Sequence, residues 1–404
     1  MNNTIVNKII NKTREKSEGI NAMNIVNTIF SDLNDREKDV LDKRFGLKEN
    51  KKETLASLGN VHKLTRERIR QIEEASIKKI QEIKELEDHI ISLRETITQL
   101  LEEHGGLMEK EYLLNTLANL LSNSSEKKLD KEVYKNNFNF LISKFLNNDI
   151  EETKNLKHFK NSYKIKHSSL NHLEEIAEDL INKIHSERKM LETKELIEFM
   201  ASRKIYHKYE EKVKTINNLD ITKIFKEELL EEPTNTINDN KTLYSMIIAL
   251  EKLEQNKFGH WGGHDWKEIK PKTINDKIYL VLKYYDKAMH FTEIAEKINE
   301  IKFDKKIANA ATIHNELILD NKYILVGRGI YKLRESSNEK IINEDGTVID
   351  VIGEVLKKSK KSLSEGEIIK QVLAKRMVKK GLIISALKNK DIIKKVGKNY
   401  TLKK

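Results

Sequence analysis

The chain has 404 residues, a formal net charge of +11, no cysteine and only two prolines. The lack of cysteine excludes disulfides and thiolate metal sites, and no apolar run approaches the roughly 20 residues that cross a bilayer. Few helix breakers and abundant Lys, Glu, Ile and Leu predict a mainly α protein of about two to four domains. The first residues, MNNTIVNKIINKTREK, lack the features of a secretion signal, so we expect a cytoplasmic protein without membrane association.

The positive charge is concentrated at the C-terminal end. Residues 347–404 contain 16 basic and 5 acidic residues, which accounts for the whole net charge of +11. A basic block of this kind predicts a polyanionic partner such as nucleic acid. The alternative is a lysine-rich solubilising segment, although these residues also have the pattern of a folded domain.

The chain begins with two predicted helical segments. Residues 1–30 carry apolar side chains at helical spacing and are predicted to form one amphipathic helix. Residues 31–82 predict a compact unit of three helices. The residues with capping preferences are Asn34, Thr54 and Thr65 at the helix starts and Gly46 at the first helix end. Glu37 predicts a capping box with Asn34, and a turn at residues 59–64 gives the spacing of a helix-turn-helix, a shape that reads DNA.

The third of these helices combines an apolar face with polar groups suited to base edges. The apolar face contains Ile69, Ile72 and Ile80. The candidates for base contacts are Arg66, Glu67, Arg70 and Gln71. Arginine can bind guanine with two hydrogen bonds, glutamate can accept from cytosine, and glutamine can pair with adenine. The alternative is a solvated helix with internal charge pairs such as Arg70 with Glu74.

The string TRERIRQIE, with TLASLG and DREKDVLDKRFGL upstream, resembles region 4 of the sigma-70-type RNA polymerase sigma factors. This resemblance implies that the third helix reads the −35 promoter element in duplex DNA. It assigns base contacts to Arg66, Glu67, Arg70 and Gln71. It assigns phosphate contacts to Arg44, Thr54, Thr65 and Arg68. Within the turn, Val61, His62 and Lys63 depart from the acidic and aromatic residues usual in that family.

A complete sigma factor also has an aromatic-rich segment that captures and melts the −10 element. We find no such segment, and Trp261 and Trp266 are the only tryptophans. The sequence therefore predicts a sigma-like reading unit joined to other domains, associated with the bacterial nucleoid and without melting activity of its own. We predict that the two tryptophans close a small core; base stacking is the alternative.

Downstream, apolar residues between Ile83 and Leu100 alternate at steps of three and four. This narrow seam predicts a connecting helix packed on the next domain, with a short coiled coil as the alternative. A pattern of helices followed by two short strands around a glycine turn then recurs, which predicts winged helices. The predicted copies are residues 83–170, 171–271, 272–334 and 347–404. The polar stretches 231–240 and 335–346 predict loops within an insert and between domains.

Residues 272–334 resemble the HARE-HTH domain, a winged helix also found in the delta subunit of bacterial RNA polymerase. The resemblance rests on HFTEIAEKIN and ATIHNELILDNKYILVGRGIYKL, and residues 171–271 show it more weakly. Candidates for wing contacts with DNA are Arg328, Lys394, Lys395 and Lys398. For Arg328 the alternative is an ordinary hairpin with a solvated side chain.

No nucleotide-binding, hydrolase or metalloprotease motif occurs, so we expect neither an enzyme nor a cofactor. His260 and His264 flank two glycines, which argues against a helical metal site, and we expect no metal.

The sequence thus predicts a mainly α, multi-domain protein: a helix-turn-helix unit followed by tandem winged-helix domains with small β-wings. The predicted function is a sequence-specific DNA-binding transcription factor that binds promoter duplex and contacts the RNA polymerase core. One alternative is a polymerase-associated scaffold whose winged helices bind protein. Another is the DNA-targeting subunit of a nuclease system.

Overall fold

The computed structural model describes residues 19–122, 130–154, 156–214, 219–225, 234–334, 348–359, 362–375, 380–387, 393–397 and 399–402. These residues are mainly helical and form four small antiparallel sheets of three strands each. The predicted fold class is therefore confirmed. The chain divides into two compact units, Met1–Asp265 and Trp266–Lys404. Of the helix predicted over residues 1–30, the described part is α1 (Ala22–Ile29).

Three helices form the predicted helix-turn-helix unit: α2 (Asp35–Phe45), α3 (Leu55–His62) and α4 (Arg66–Gln81). The side chain of Asn34 accepts the backbone N–H of Glu37 at 3.0 Å, and the Glu37 carboxylate accepts the backbone N–H of Asn34 at 3.0 Å. The predicted capping box is therefore confirmed. Gly46 ends α2 in the left-handed conformation, with φ 68°.

The starts of α3 and α4 also follow the sequence. The hydroxyl of Thr54 accepts the backbone N–H of Ser57 at 3.1 Å. The hydroxyl of Thr65 accepts the backbone N–H of Arg68 at 3.1 Å. Both predicted N-caps are confirmed, and each leaves a threonine side chain exposed at the start of its helix.

The turn between α3 and α4 begins later than predicted. Because α3 continues to His62, the turn is not the stretch 59–64 but only Lys63 and Leu64 before the cap of α4. Gly59 lies inside α3, against the chain that leaves the turn. A Cβ added to Gly59 would lie 2.7 Å from the carbonyl oxygen of Leu64. Glycine is needed here for close approach of two backbones rather than for a turn.

The helix-turn-helix unit is packed on two sides. A small core of Val40, Leu58 and Ile69, all fully buried, joins its three helices. On the other side Leu41 and Ile80 belong to a larger core that also contains residues of α1 and of the elements that follow. The helix-turn-helix is therefore packed as a part of the first compact unit.

Four winged units with one order of elements follow. In each, a helix leads to a short strand, and the last two strands form a hairpin whose final strand pairs with the short one. The first winged unit contains α5 (Leu86–Glu103), β1 (Leu107–Glu109), α6 (Lys110–Ser122), α7 (Lys131–Phe145), β2 (Ile150–Thr153) and β3 (Ser162–Ile165). The second contains α8 (Asn171–Glu187), β4 (Leu191–Glu192), α9 (Thr193–Ala201), α10 (Lys204–Val213), α11 (Thr222–Phe225), α12 (Thr234–Asp239), α13 (Lys241–Ala249), β5 (Leu253–Gln255) and β6 (His260–Gly263).

The third and fourth winged units lie in the second compact unit. The third contains α14 (Ile274–Tyr285), β7 (Met289–His290), α15 (Phe291–Ile301), α16 (Ala310–Leu319), β8 (Tyr323–Gly327) and β9 (Ile330–Leu333). The fourth contains α17 (Val348–Ser359), β10 (Leu363–Ser364), α18 (Glu365–Lys375), α19 (Lys380–Ala386), β11 (Ile393–Val396) and β12 (Asn399–Leu402). The exact limits predicted for the individual domains stay predictions.

The helix α5 is the predicted connecting helix. Its residues Ile90, Leu93, Ile97 and Leu100 are buried in one core with residues of α6 and α7. This packing confirms a connecting helix on the next domain and leaves no free seam for a coiled coil. His104 and the two left-handed glycines after it end the helix.

The polar stretch 231–240 differs from its prediction. Its described residues, 234–240, include the helix α12 instead of a loop. The side chain of Asn238 accepts the backbone N–H of Ile221 at 3.0 Å and donates to the Asp220 carboxylate at 2.7 Å. These contacts from outside the stretch stabilise a helix that its composition does not favour. The predicted linker 335–346 lies outside the described residues.

In the first two winged units the helix before the hairpin is internal. All residues of α13 except Ile248 are buried, and the Ser245 hydroxyl donates to the Leu107 carbonyl of β1 at 2.6 Å. On α7, the Asn137 amide donates to the carbonyl of Leu47 at 2.8 Å, and Phe138 is fully buried. Most residues of α7 and all but one of α13 are thus used in protein packing.

A buried ion pair joins the first two winged units. The Nζ of Lys241 lies 2.8 Å from the Glu103 carboxylate and donates to the Leu219 carbonyl at 2.7 Å. Both charged side chains are at most 3% exposed. A pair at this depth is strongly destabilising when one partner is removed, because the other charge stays buried alone.

We expect Lys241→Ala to lower the free energy of unfolding of the first compact unit by about 3–5 kcal/mol. The measurement is chemical denaturation followed by circular dichroism. The control, Lys183→Ala, removes an exposed pair with Glu187 at 3.0 Å and should cost less than about 1 kcal/mol. Equal effects of the two substitutions would contradict a buried ion pair.

We expect Gly59→Ala to destabilise the helix-turn-helix unit by about 1–3 kcal/mol, because the added methyl group overlaps the Leu64 carbonyl. Hydrogen exchange of the α4 amides measures this loss. The control is Gly366→Ala in α18, where an added Cβ meets nothing within 4 Å. Protection of α4 that is unchanged in Gly59→Ala would show that the close approach is not needed.

Candidate nucleic-acid interface

The first two turns of α4 present charged and amide groups to solvent. The exposed side chains are Arg66, Glu67, Arg68, Arg70 and Gln71. Between them Ile69 is fully buried against Val40 and Leu58. Burial of Ile69 fixes the rotation of α4 about its axis. The four candidates for base contacts therefore share the solvent side, although their contacts with bases stay predictions.

Glu67 and Arg70 are paired in the free protein. The Nη2 and Nε of Arg70 donate to the Glu67 carboxylate at 2.7 and 3.0 Å, and its Nη1 donates to Glu74. The hydrogen bonds from Arg70 lower the pKa of Glu67, and the hydrogen bond with Glu67 raises the pKa of Arg70. Both groups therefore stay ionised at neutral pH. The internal charge pair expected between Arg70 and Glu74 is confirmed, so base contact by Arg70 would require exchange of these partners.

Arg66 and Arg68 carry the uncompensated charge of this surface. The Nη1 of Arg68 donates to the Gln71 amide oxygen at 3.1 Å, a neutral partner. Arg66 forms no side-chain hydrogen bond with another described residue and projects from the first turn of α4. Its guanidinium donors are therefore available to a ligand without breaking an internal bond.

The residues assigned to phosphates differ in their environment. Arg44 is half-buried; its Nε donates to Glu73 at 3.3 Å and its Nη1 to the Glu53 carbonyl at 3.0 Å. These bonds give Arg44 a role in holding α2 and α4 together, and its phosphate contact stays a prediction. Thr54 and Thr65 use hydroxyl lone pairs for capping, so each hydroxyl proton can still be donated to a phosphate.

Three further cations lie beside these caps. Lys51 and Lys52 are exposed just before the start of α3, and Lys63 is exposed in the turn before α4. None of the three forms an ion pair within the described part of the chain. We add them to the phosphate candidates. For Lys51 and Lys52 the signal in the sequence is the basic run KENKKE before Thr54.

The wing candidates are exposed where the structure describes them. Arg328 lies between β8 and β9 beside Gly329, whose φ is 71°. Lys394 and Lys395 lie exposed on β11, and the Nζ of Lys395 is 5.6 Å from the centre of the Tyr400 ring. Lys398 lies outside the described residues. Contact of any of these residues with DNA stays a prediction.

The two tryptophans are buried. Trp261 is 5% exposed, and its Nε1 donates to the Thr193 hydroxyl at 2.8 Å, while Trp266 is 3% exposed. This burial agrees with a role in a small core and does not suit base stacking.

The part of the chain that the structure describes contains no group of three or more His, Asp or Glu placed to hold a metal ion. His260 lies in the strand β6 and not on a helix. Among the same residues no helix has the length and apolar character needed to cross a membrane.

Comparison with known proteins identifies the helix-turn-helix unit. Residues 29–82 match the family model described as Sigma-70, region 4. The RNA polymerase sigma factor SigA of Lactococcus lactis subsp. cremoris is 50% identical over 52 residues, which cover 13% of this chain and 14% of that protein. SigA1 of Synechococcus elongatus is 40% identical over 70 residues, which cover 17% and 15%. This chain thus spans about one seventh of the length of the curated relatives it matches. No solved structure matches the chain.

The matched family model ends at residue 82, before the first winged unit. The resemblance of residues 272–334 to the HARE-HTH domain therefore stays a prediction. Within the matched residues, the caps, the buried Ile69 and the exposed face of α4 form one arrangement. Residues 29–82 match Sigma-70 region 4 and fold as a helix-turn-helix, and this match supports a sigma-like DNA-binding role.

Proposed function

We propose that this chain is a sequence-specific DNA-binding transcription factor that reads a −35-like promoter element in duplex DNA through α4. One observation carries the proposal. Within the segment that matches Sigma-70 region 4, α4 exposes Arg66, Glu67 and Gln71 while Ile69 anchors its opposite face.

The dimensions of α4 suit the major groove. A helix with its side chains is about 10–12 Å across, and the groove is about 12 Å wide. Arg66 and Gln71 are five residues apart, so they are separated by roughly 7.5 Å along the helix axis. At about 3.4 Å per base pair this distance covers two to three base pairs. Arg66 suits a guanine edge and Gln71 an adenine edge.

The exposed helix starts suit the DNA backbone. Thr54 begins α3 and Thr65 begins α4, and the N-terminal end of a helix carries partial positive charge. Lys51 and Lys52 add full charges beside Thr54. Together these groups can hold phosphates on both sides of the groove that α4 enters. Contacts of this kind position the protein and leave sequence reading to the base edges.

We further propose contact with the RNA polymerase core, because Sigma-70 region 4 belongs to a polymerase subunit. We assign no enzymatic step, no cofactor and no melting of promoter DNA to the described residues. Function at promoters would place the protein in the bacterial cytoplasm, beside the nucleoid.

A polymerase-associated scaffold is the second candidate, and one observation favours it. The helices α7 and α13, which precede the hairpins of the first two winged units, are used in protein packing. A scaffold would co-purify with polymerase from nuclease-treated lysate and would lack sequence preference for duplex DNA.

Selection of bound sites from random duplexes tests the leading proposal. Wild type should enrich one motif, and Arg66→Ala should lose preference at one base pair, at a cost of about 1–3 kcal/mol. The control, Lys78→Ala, removes an exposed cation from the last turn of the same helix, roughly 18 Å along its axis. It should leave the motif unchanged. Failure of the wild-type chain to enrich any motif would refute sequence-specific reading.

A further inference from the structure

Among the described residues, five helices occupy the position that reads DNA in helix-turn-helix proteins: α4, α7, α13, α16 and α19. Only α4 combines solvent exposure with arginine and glutamine side chains. Most residues of α7 and all but one of α13 are buried. The helix α16 and the residues around it, 307–321, contain no lysine or arginine. Of these five helices, α4 is therefore the one whose exposed side chains best suit the reading of a base sequence.

The helix α19 of the fourth winged unit has a different chemistry. Its sequence is KGLIISA, with Lys380 as its one charged residue and no Arg, Asn, Gln or Glu to bond base edges. Apart from Lys380 and the hydroxyl of Ser385, this helix offers no side chain for direct hydrogen bonds to base edges. The helix is thus poorly suited to sequence reading, whereas the lysines around it suit the phosphates of a nucleic-acid backbone.

Six exposed lysines of the fourth winged unit form no ion pair with another described residue. The exposed, described lysines are Lys357, Lys358, Lys370, Lys380, Lys394 and Lys395. In the third winged unit, by contrast, Lys287 pairs with Glu293 at 3.0 Å and Lys297 with Glu300 at 2.7 Å. The third unit thus holds several of its lysines in ion pairs, whereas the six described lysines of the fourth face solvent.

These six lysines also lie on different elements. They belong to α17, α18, α19 and β11. They do not meet in one pocket that would suit a small anion. Such a distribution suits an extended polyanion, whose regularly spaced phosphates can meet several separated cations. Residues 347–404 also hold the whole net charge of the chain.

We infer that the fourth winged unit is a sequence-independent clamp on the phosphates of duplex DNA, and that it holds the same duplex that α4 reads. The choice of duplex DNA rests on the proposed function of α4. Affinity from the electrostatic clamp and specificity from α4 are then supplied by different parts of the chain. When two linked sites bind one duplex, the overall affinity exceeds the affinity of either site alone.

The test uses the full chain with Lys357, Lys358, Lys394 and Lys395 all replaced by Gln. Binding is measured by fluorescence anisotropy on the selected duplex and on a scrambled duplex of equal length, over a range of salt concentrations. We expect the same fold loss on both duplexes. The slope of log affinity against log salt should become shallower by up to about 0.9 for each lysine that contacts a phosphate.

The matched control replaces Lys283, Lys287, Lys297 and Lys322 of the third winged unit by Gln. It removes the same charge from lysines that already contact acidic or aromatic side chains, so affinity and slope should change little. A Lys→Arg version of the four clamp positions should bind like wild type, which separates loss of charge from loss of fold.

Unchanged affinity and slope in the Gln variant would overturn the clamp. A loss confined to single-stranded RNA of equal length, or to the selected duplex, would also overturn it. A different result is expected if the proposed function of α4 is wrong. Arg66→Ala would then leave the ratio of the affinities for the selected and scrambled duplexes unchanged, while the Gln variant would still bind both duplexes more weakly.

Discussion

Burial of Ile69 is the constraint that decides which side chains of α4 are exposed. Because most side chains of α4 are charged or polar, they do not by themselves decide which face of the helix is buried. Packing of Ile69 against Val40 and Leu58 decides it. Every exposed group of the first two turns is placed by that contact. Full burial of a side chain of this size contributes about 1.5–3 kcal/mol. Much of the orientation of α4 thus comes from a core of very few side chains.

The winged units show how one topology can serve several purposes. In the first compact unit, α7 and α13 have become internal supports, with Asn137 bonded to the backbone of the helix-turn-helix unit. In the fourth winged unit the corresponding helix is short and uncharged beyond Lys380, and the cations lie on surrounding elements. The shared sheet order therefore indicates a common architecture and not a common partner.

Much of the fold could be predicted because its signals are local. Asn34, Thr54 and Thr65 cap helices through side chains that reach three residues onward, so their sequence context suffices. The predicted start of the turn was wrong because Gly59 is required for close approach to the Leu64 carbonyl and not for a turn. The helix α12 and the pairing of Arg44 depend on residues distant in sequence, and no pattern within either segment reveals them. The burial of α7 and α13 is likewise decided by neighbours.

The pairing of Glu67 with Arg70 has a consequence for discrimination between duplexes. In the unbound protein, hydrogen bonds from Arg70 stabilise the charged carboxylate of Glu67. Inside a groove lined by phosphates, that carboxylate meets negative charge unless a cytosine amino group faces it. A wrong sequence would thus be rejected by repulsion as well as by missing bonds, and such rejection sharpens selectivity without tightening the correct complex.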